Sequence, residues 1–262
     1  MCLIILVNDT KSLSFKDMET AYKRNSDGFG IMYMNKENKF ISEKFLPKNF
    51  NEVKNFFNIH KVNAKGQIAI HFRFTTEGKT NKKNCHPFIS YRTEERQIGM
   101  MHNGARLPIP LINKNYSDTW HFNEHYLKTV LRKNPNLILN SDYQSELEDH
   151  IEQDKMIFLD SKTEKFIIIN ETVGNYRSGN WFSNDYWHNF PKISYRVDND
   201  FNYYGGHILE NSLQNNQIEF LPDSEIKSTN TQLLYDFVDD CYYSEDMSPI
   251  YNLVDRYKKK VS

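Results

Sequence analysis

The chain has 262 residues, of which 39% are hydrophobic and 26% are charged, and its formal net charge is -1. These values are typical of a globular protein with a sizeable core, and the balanced charge argues against a nucleic-acid partner or an anionic membrane surface. Three cysteines without a CxxC pair do not make a disulfide framework, so we expect a reducing, cytoplasmic location. No apolar stretch approaches the roughly 20 residues of a membrane-spanning helix, so no membrane partner is expected.

Apolar runs and helical periodicity predict the elements of the first third of the chain. Residues 2–7 (CLIILV) are continuously apolar, which indicates a strand that is buried on both faces and fixes the amino end inside the fold. Ser14 to Asp17 has the spacing of a capping box before a helix that runs to about Lys23. The segment Asp27-Gly28-Phe29-Gly30 is predicted to be a turn before a strand at 31–34. A strand at 39–45 and a helix at 51–60 follow.

The strand at 68–73 (IAIHFR) alternates apolar and polar residues. Ile68, Ile70 and Phe72 are predicted to face a core, while Ala69, His71 and Arg73 point the other way. Arg73 would then stand at a strand end beside a Thr-Thr-Glu-Gly turn. Its planar guanidinium suits a carboxylate such as that of an amino acid, and the alternative is an ordinary surface arginine.

The next elements are separated by short polar segments. In the proline-stiffened loop at 84–88, His86 either orders the loop or faces solvent. A strand at 98–102 stops at Asn103-Gly104, which taken alone is a strong signal for a tight hairpin turn. Ser117-Asp118 starts a helix, and Asp118 could simply be its N-cap. Further predicted elements are helices at 120–133 and 140–153, the second capped by Ser141, and a hairpin of strands at 155–160 and 165–170.

The composition of the chain changes near residue 191. From there Asn, Asp and Tyr dominate and apolar runs are few. We therefore predict a folded domain at 1–190 and a partly ordered appendix at 191–262, in which residues 231–242 have the pattern of a helix.

Six short motifs, in this order, resemble the class II glutamine amidotransferases, whose glutaminase domain is an N-terminal-nucleophile hydrolase. The motifs are Met1-Cys2, Asp27-Gly28-Phe29-Gly30, the segment 71–78 (HFRFTTEG), the segment 84–88 (NCHPF), His102-Asn103-Gly104 and Ser117-Asp118-Thr119. Residues 179–184 also resemble a stretch that is common late in this domain. The resemblance implies an α+β fold, a four-layer αββα sandwich in which two antiparallel sheets lie between layers of helices.

The resemblance also implies a reaction, the hydrolysis of the side-chain amide of L-glutamine to glutamate and ammonia. Cys2 would be the nucleophile and, after removal of Met1, its own α-amine would be the base, because that amine has a pKa of about 8 and is partly neutral at physiological pH. The Asn103 side chain and the Gly104 N–H would stabilise the oxyanion. Neither a cofactor nor a metal is expected.

The same resemblance assigns the binding of the substrate's amino-acid end. Arg73 and Thr76 would hold the α-carboxylate, and Asp118 would hold the α-ammonium group. Phe74, Glu77 and Trp120 depart from the residues of the family, which bears on pocket shape and substrate range. The predicted appendix is too short for a synthetase domain. The ammonia would then pass to a separate synthetase or transferase, or the chain would act as a plain glutaminase or cleave another amide such as a γ-glutamyl compound.

Two other functions compete with this interpretation. One is a non-catalytic binding or regulatory module that keeps the fold. The other is a zinc peptidase, because the segment His121-Phe122-Asn123-Glu124-His125 fits HxxEH, with a third ligand from Glu146 or Glu148.

Overall fold

The computed structural model of the chain describes residues 2–8, 10 and 12–187. The predicted appendix at 191–262 and its helix at 231–242 lie outside these residues. No helix within the described ranges is long and apolar enough to cross a membrane.

The described strands form two sheets in which every neighbouring pair is antiparallel. The first sheet has the order β3-β2-β4-β1-β10-β9, and the second has the order β5-β6-β7-β8. The strands are β1 (Leu3–Val7), β2 (Gly28–Asn35), β3 (Phe40–Phe45), β4 (Ala64–Arg73), β5 (Phe88–Arg92), β6 (Gln97–Asn103), β7 (Lys155–Asp160), β8 (Lys165–Ile169), β9 (Asn175–Arg177) and β10 (Asn180–Phe182).

The helices belong to two groups along the chain. The α-helical segments are α1 (Phe15–Arg24), α2 (Phe50–Asn63), α3 (Asp118–His121), α4 (Lys128–Lys133) and α5 (Ser141–Ile151), and a π-helical segment (Phe122–Leu127) joins α3 to α4. Ser14 caps α1 by accepting a hydrogen bond from the Asp17 N–H, which fits the predicted capping-box start. Ser117, rather than Asp118, caps α3, and Asn140, rather than the predicted Ser141, caps α5.

Three hydrophobic cores separate four layers. The first core packs the first sheet, through residues such as Ile5 and Phe72, against α1 and α2. The middle core lies between the two sheets and joins residues such as Ile4 to Met101. The third core packs the second sheet against the π-helical segment, α4 and α5, with Phe158 as one of its members. The predicted αββα sandwich is therefore confirmed, since each sheet has helices on one face and the other sheet on the opposite face.

The first strand is buried on both faces, as its continuous apolar run predicts. The prediction for β4, which gave it one buried face, is wrong. Ile70 faces the first core, but Ala69 faces the middle core, and His71 and Arg73 are also buried. The second sheet covers the face that the alternation predicted to be polar and open.

The predicted turn at 27–30 is also wrong, because β2 already begins at Gly28 and pairs with β4. The glycines permit this strand to lie directly under the loop that follows β4. A Cβ on Gly28 would lie 2.4 Å from Cys85 Sγ, and one on Gly30 would lie 1.8 Å from the carbonyl oxygen of His86. The glycines therefore serve close packing against this loop rather than chain reversal.

Candidate active site

A cleft opens where β1 begins and where β4 and β6 end. Because β1 and β4 are antiparallel, with Leu3 opposite Phe72, the residue before β1 lies beside the end of β4. The cleft is lined by Cys2, Arg73, Phe74, Thr76, Glu77, His86, His102, Gly104, Ala105, Ser117, Asp118 and Thr119. Five of the six predicted site residues are thus brought together. The sixth, Asn103, is buried at the end of β6 next to Gly104 and does not itself line the cleft.

The Cys2 thiol is held against the backbone of Phe74. Its Sγ lies 3.4 Å from both the N–H and the carbonyl oxygen of that residue. The Asn184 side chain donates a hydrogen bond of 2.8 Å to the Cys2 carbonyl oxygen, which fixes the residue from its other side. Burial raises the pKa of the Cys2 thiol, with Asp118 adding to the effect, while the Phe74 N–H and Arg73 act in the opposite direction. The thiol therefore needs a base to become a nucleophile near neutral pH.

Arg73 is only 3% exposed. Its guanidinium donates to the carbonyl oxygens of Glu77, at 3.2 Å, and Lys79, at 3.5 Å, and so supports the loop that follows β4. None of the carboxylates in the described ranges forms an ion pair with it. Since a guanidinium carries five N–H donors, donors remain for a further acceptor in the cleft.

A chain of polar side chains runs from Asp118 to the other end of the cleft. The Asp118 carboxylate accepts the Leu107 N–H at 2.7 Å, and its second oxygen lies 3.4 Å from the Thr119 hydroxyl. The Thr119 hydroxyl is 2.9 Å from His102 Nδ1, and His102 Nε2 is 3.1 Å from the Asp154 carboxylate. Asp118 is thus connected through three hydrogen bonds to a carboxylate that sequence reasoning missed.

Asp154 packs directly against Gly104. A Cβ on Gly104 would lie 1.8 Å from the carboxylate carbon of Asp154, so no other residue fits at position 104 without displacing that carboxylate. Asp154 also accepts the Ala105 N–H at 2.8 Å and thereby holds the segment after β6. Asp154 lies in the turn between α5 and β7, about fifty residues from its contacts, and carries no motif that could have revealed this role.

Asn103 is held by a residue that the motifs did not include. Its Nδ2 donates a hydrogen bond of 2.7 Å to Ser183 Oγ, and its Oδ1 is buried with no hydrogen-bond partner. Ser183 is fully buried directly after β10. The resemblance of residues 179–184 to a stretch of the family was the available signal, but it assigned no role to Ser183 or Asn184.

Two buried histidines, His71 and His86, contact each other at the cleft, which His86 also lines. The rings of His71 and His86 are 4.1 Å apart, and His71 Nε2–H donates to the carbonyl oxygen of His102 at 3.2 Å. Burial lowers the pKa of His71 to about 3 and that of His86 well below its ordinary value, so both rings are neutral at physiological pH. The interpretation of His86 as a solvent-facing side chain is wrong, since only 4% of the residue is exposed.

The HxxEH segment does not form a metal site. His121 Nε2 lies 3.0 Å from the Asn113 carbonyl oxygen, and Glu124 pairs with Lys128. Within residues 2–8, 10 and 12–187, no three His, Cys, Asp or Glu side chains are grouped so that they could hold a metal ion. Nothing in this part of the chain supports the zinc peptidase alternative.

Comparison with known proteins shows which family this region is similar to. The family model of class II glutamine amidotransferases matches residues 3–109. A glutamine–fructose-6-phosphate aminotransferase of Buchnera aphidicola is 31% identical over 157 residues, which is 58% of this chain and 22% of that protein. The same enzyme of Francisella tularensis is 30% identical over 151 residues, which is 55% of this chain and 24% of that protein. The chain spans less than a quarter of the length of these relatives.

Two solved structures resemble the chain more remotely. A glutamine phosphoribosylpyrophosphate amidotransferase of B. subtilis, complexed with ADP and GMP, has a TM-score of 0.40 and 13% identity over 70% of this chain and 41% of its own. The allosteric regulatory enzyme of purine biosynthesis has a TM-score of 0.38 and 14% identity over 62% of this chain and 36% of its own. The family match at residues 3–109 begins directly after Cys2 and covers the strands that end in Arg73 and Asn103. Residues 3–109, which include Arg73 and Asn103, therefore resemble the class II glutamine amidotransferases.

Proposed function

We propose that this domain hydrolyses the side-chain amide of L-glutamine to glutamate and ammonia through a thioester on Cys2. Arg73 is the observation that supports this most, because its guanidinium is buried in the cleft of the Cys2 thiol without an ion-pair partner among the described residues. A buried charge is costly unless a counter-charge compensates it. The α-carboxylate of the substrate would supply that counter-charge.

In the first chemical step, Cys2 Sγ attacks the side-chain carboxamide carbon of glutamine. Burial keeps the thiol protonated at rest, so a base must remove its proton. Once Met1 is removed, the α-amine of Cys2 takes this proton and later passes it to the leaving ammonia. Water then hydrolyses the thioester, which releases glutamate and restores the thiol.

Developing negative charge on the amide oxygen would be stabilised by the Gly104 N–H and by Asn103 Nδ2. One Nδ2 hydrogen is directed at Ser183, and a carboxamide nitrogen carries two, so the second hydrogen remains for the oxyanion. Removal of one such donor from an enzyme site typically slows catalysis by about 100- to 1,000-fold.

The amino-acid end of the substrate would lie between Arg73 and Asp118. Arg73, with Thr76 beside it, would bind the α-carboxylate. Asp118 uses one carboxylate oxygen for the Leu107 N–H, which leaves acceptor capacity for the α-ammonium group. Opposite charges at the two sides of the cleft would exclude amides that lack an amino-acid head.

The names of the relatives bear on the fate of the ammonia. We infer a glutaminase domain at 1–190 and an ammonia acceptor on a separate synthetase or transferase. The curated relatives are named for the transfer of an amino group to fructose 6-phosphate, and this chain spans only 22 to 24% of their length. A thiol nucleophile must remain reduced, which favours a reducing cytoplasm.

The proposal is tested by ammonia release from L-glutamine, together with an intact mass that shows whether Met1 is absent. Cys2→Ala, or a tag that blocks the Cys2 amine, should abolish release, because each removes an essential group. Cys85→Ser is the matched control, since Cys85 is a second thiol outside the cleft lining. Full turnover with a blocked amine would contradict the mechanism. Tight glutamine binding without ammonia release would instead identify a non-catalytic binding module.

A further inference from the structure

Ser183 connects the two sheets at the cleft. It follows β10 of the first sheet, and its Oγ accepts hydrogen bonds from the Ile4 N–H, at 2.8 Å, and from Asn103 Nδ2, at 2.7 Å. Its backbone N–H donates to the Ile4 carbonyl oxygen at 2.9 Å. Ile4 is two residues from Cys2 on the first sheet, and Asn103 ends β6 of the second sheet. One buried oxygen atom thus binds both the strand of the thiol and the side chain of the expected oxyanion donor.

The Asn103 carboxamide has little other support. Pairing with Lys155 of β7 fixes the Asn103 backbone, but this pairing does not restrain rotation of the amide. Its Oδ1 is buried with no hydrogen-bond partner, so in the described part of the chain the amide is oriented from its nitrogen side by Ser183. A serine oxygen has two lone pairs, and these two donors occupy both.

We propose that Ser183 is the positioning residue that holds the Asn103 carboxamide in register with Cys2, so that the second N–H of Asn103 Nδ2 meets the oxyanion. This inference rests on the proposed glutaminase function. Ser183 does not touch the substrate in this scheme and acts through Asn103. The next residue, Asn184, donates a hydrogen bond to the Cys2 carbonyl oxygen, so two adjacent residues would fix the nucleophile and the oxyanion donor.

Loss of the Ser183 hydroxyl should therefore slow the reaction without weakening the binding of glutamine. In Ser183→Ala the acceptor is lost, and the Asn103 amide becomes free to turn. We expect kcat to fall about 10- to 100-fold, which is part of the loss typical for complete removal of an oxyanion donor. KM for glutamine should change less than about 3-fold, because Arg73 and Asp118 are untouched.

Ser90 offers a matched control in the second sheet. The residue is 1% exposed and its hydroxyl donates to the side-chain oxygen of Asn123 at 2.7 Å, so Ser90 is also a buried serine paired with an asparagine amide. Ser90→Ala removes a comparable hydrogen bond away from the cleft lining. We expect it to lower the urea midpoint of unfolding and to leave kcat unchanged.

A double variant decides whether Ser183 acts through Asn103. If it does, Asn103→Ala combined with Ser183→Ala should be no slower than Asn103→Ala alone. The positioning role would be overturned if the fold loss of kcat in the double variant were the product of the losses in the two single variants. Equal kcat values for Ser183→Ala and Ser90→Ala would also overturn it. Should Ser183→Ala fail to fold, Ser183→Cys keeps a similar volume with a weaker acceptor and allows the same comparison. Absence of ammonia release by the wild-type protein would overturn the proposed function itself, whereas an active wild type with an unimpaired Ser183→Ala overturns only this inference.

Discussion

The buried His71 ring predicts a specific dependence of fold stability on pH. Burial lowers the pKa of His71 to about 3, whereas an unfolded histidine titrates at about 6.5. Between these values the unfolded chain binds a proton that the folded chain excludes, so acid favours unfolding. The contribution of His71 to stability is fully present above about pH 6.5 and is lost progressively as the pH falls towards 3. From pH 7 to pH 5 the loss is about 2 kcal/mol for this one group.

His71→Gln removes the titration and retains a donor that can reach the His102 carbonyl oxygen. Urea unfolding of both proteins at pH 7 and pH 5 gives two losses of stability, and the wild type should lose about 2 kcal/mol more than the variant. His86, whose pKa is also lowered by burial, is present in both proteins and largely cancels from the difference. The packing cost of the substitution appears at both pH values and cancels as well. Equal losses in the two proteins would refute the reasoning, because His71 would then titrate near its ordinary pKa in the fold.

Three further predictions concern the cleft. Gly104→Ala should abolish ammonia release and destabilise the fold by about 1–3 kcal/mol, and Asp154→Ala in the same chain should relieve part of that stability loss in thermal unfolding; strictly additive losses would contradict the contact. Arg73→Gln should raise KM for glutamine about 10- to 100-fold in initial-rate assays, since a hydrogen bond to a charged group contributes about 1.5–3 kcal/mol, and an unchanged KM would exclude the carboxylate role. Burial is the main cause that raises the pKa of Cys2, and the negative charge of Asp118 adds to it. Asp118→Asn removes that charge and should therefore lower the pKa of Cys2. Iodoacetamide should then alkylate Cys2 faster in the variant at pH 8, as followed by mass spectrometry. A slower reaction would contradict the prediction that Asp118 raises the pKa of Cys2.

Local sequence patterns predicted the main elements because they depend on neighbours in the chain. The apolar run of β1, the capping box of α1 and the hairpin of β7 and β8 are local signals of this kind. The grouping of Cys2, Arg73 and Gly104 was predicted from the resemblance to a family, because no local pattern reveals that the ends of β4 and β6, which belong to different sheets, lie at one cleft. Their chemical roles remain predictions until turnover is measured.

Features that depend on distant parts of the chain were missed. The second sheet buries the face of β4 that alternation predicted to be open, and nothing in residues 68–73 contains that information. The strands β9 and β10 have three residues each, which is too short for a periodic signal. Ser183 and Asp154 meet their partners across 80 and 49 residues of sequence, so only the folded arrangement reveals them.

Cys2 and Asn103 belong to opposite sheets, so the spacing of the sheets sets how closely they approach. That spacing is determined by the middle core, whose members include Met32, Met34 and Met101. Methionine side chains are flexible and adapt to changes in the surrounding volume. Substitutions among these residues could therefore change the rate of the proposed amide cleavage at a distance, while every group that would touch the substrate stays the same. Natural variation or laboratory selection for faster or slower nitrogen release would have this inner layer as a target.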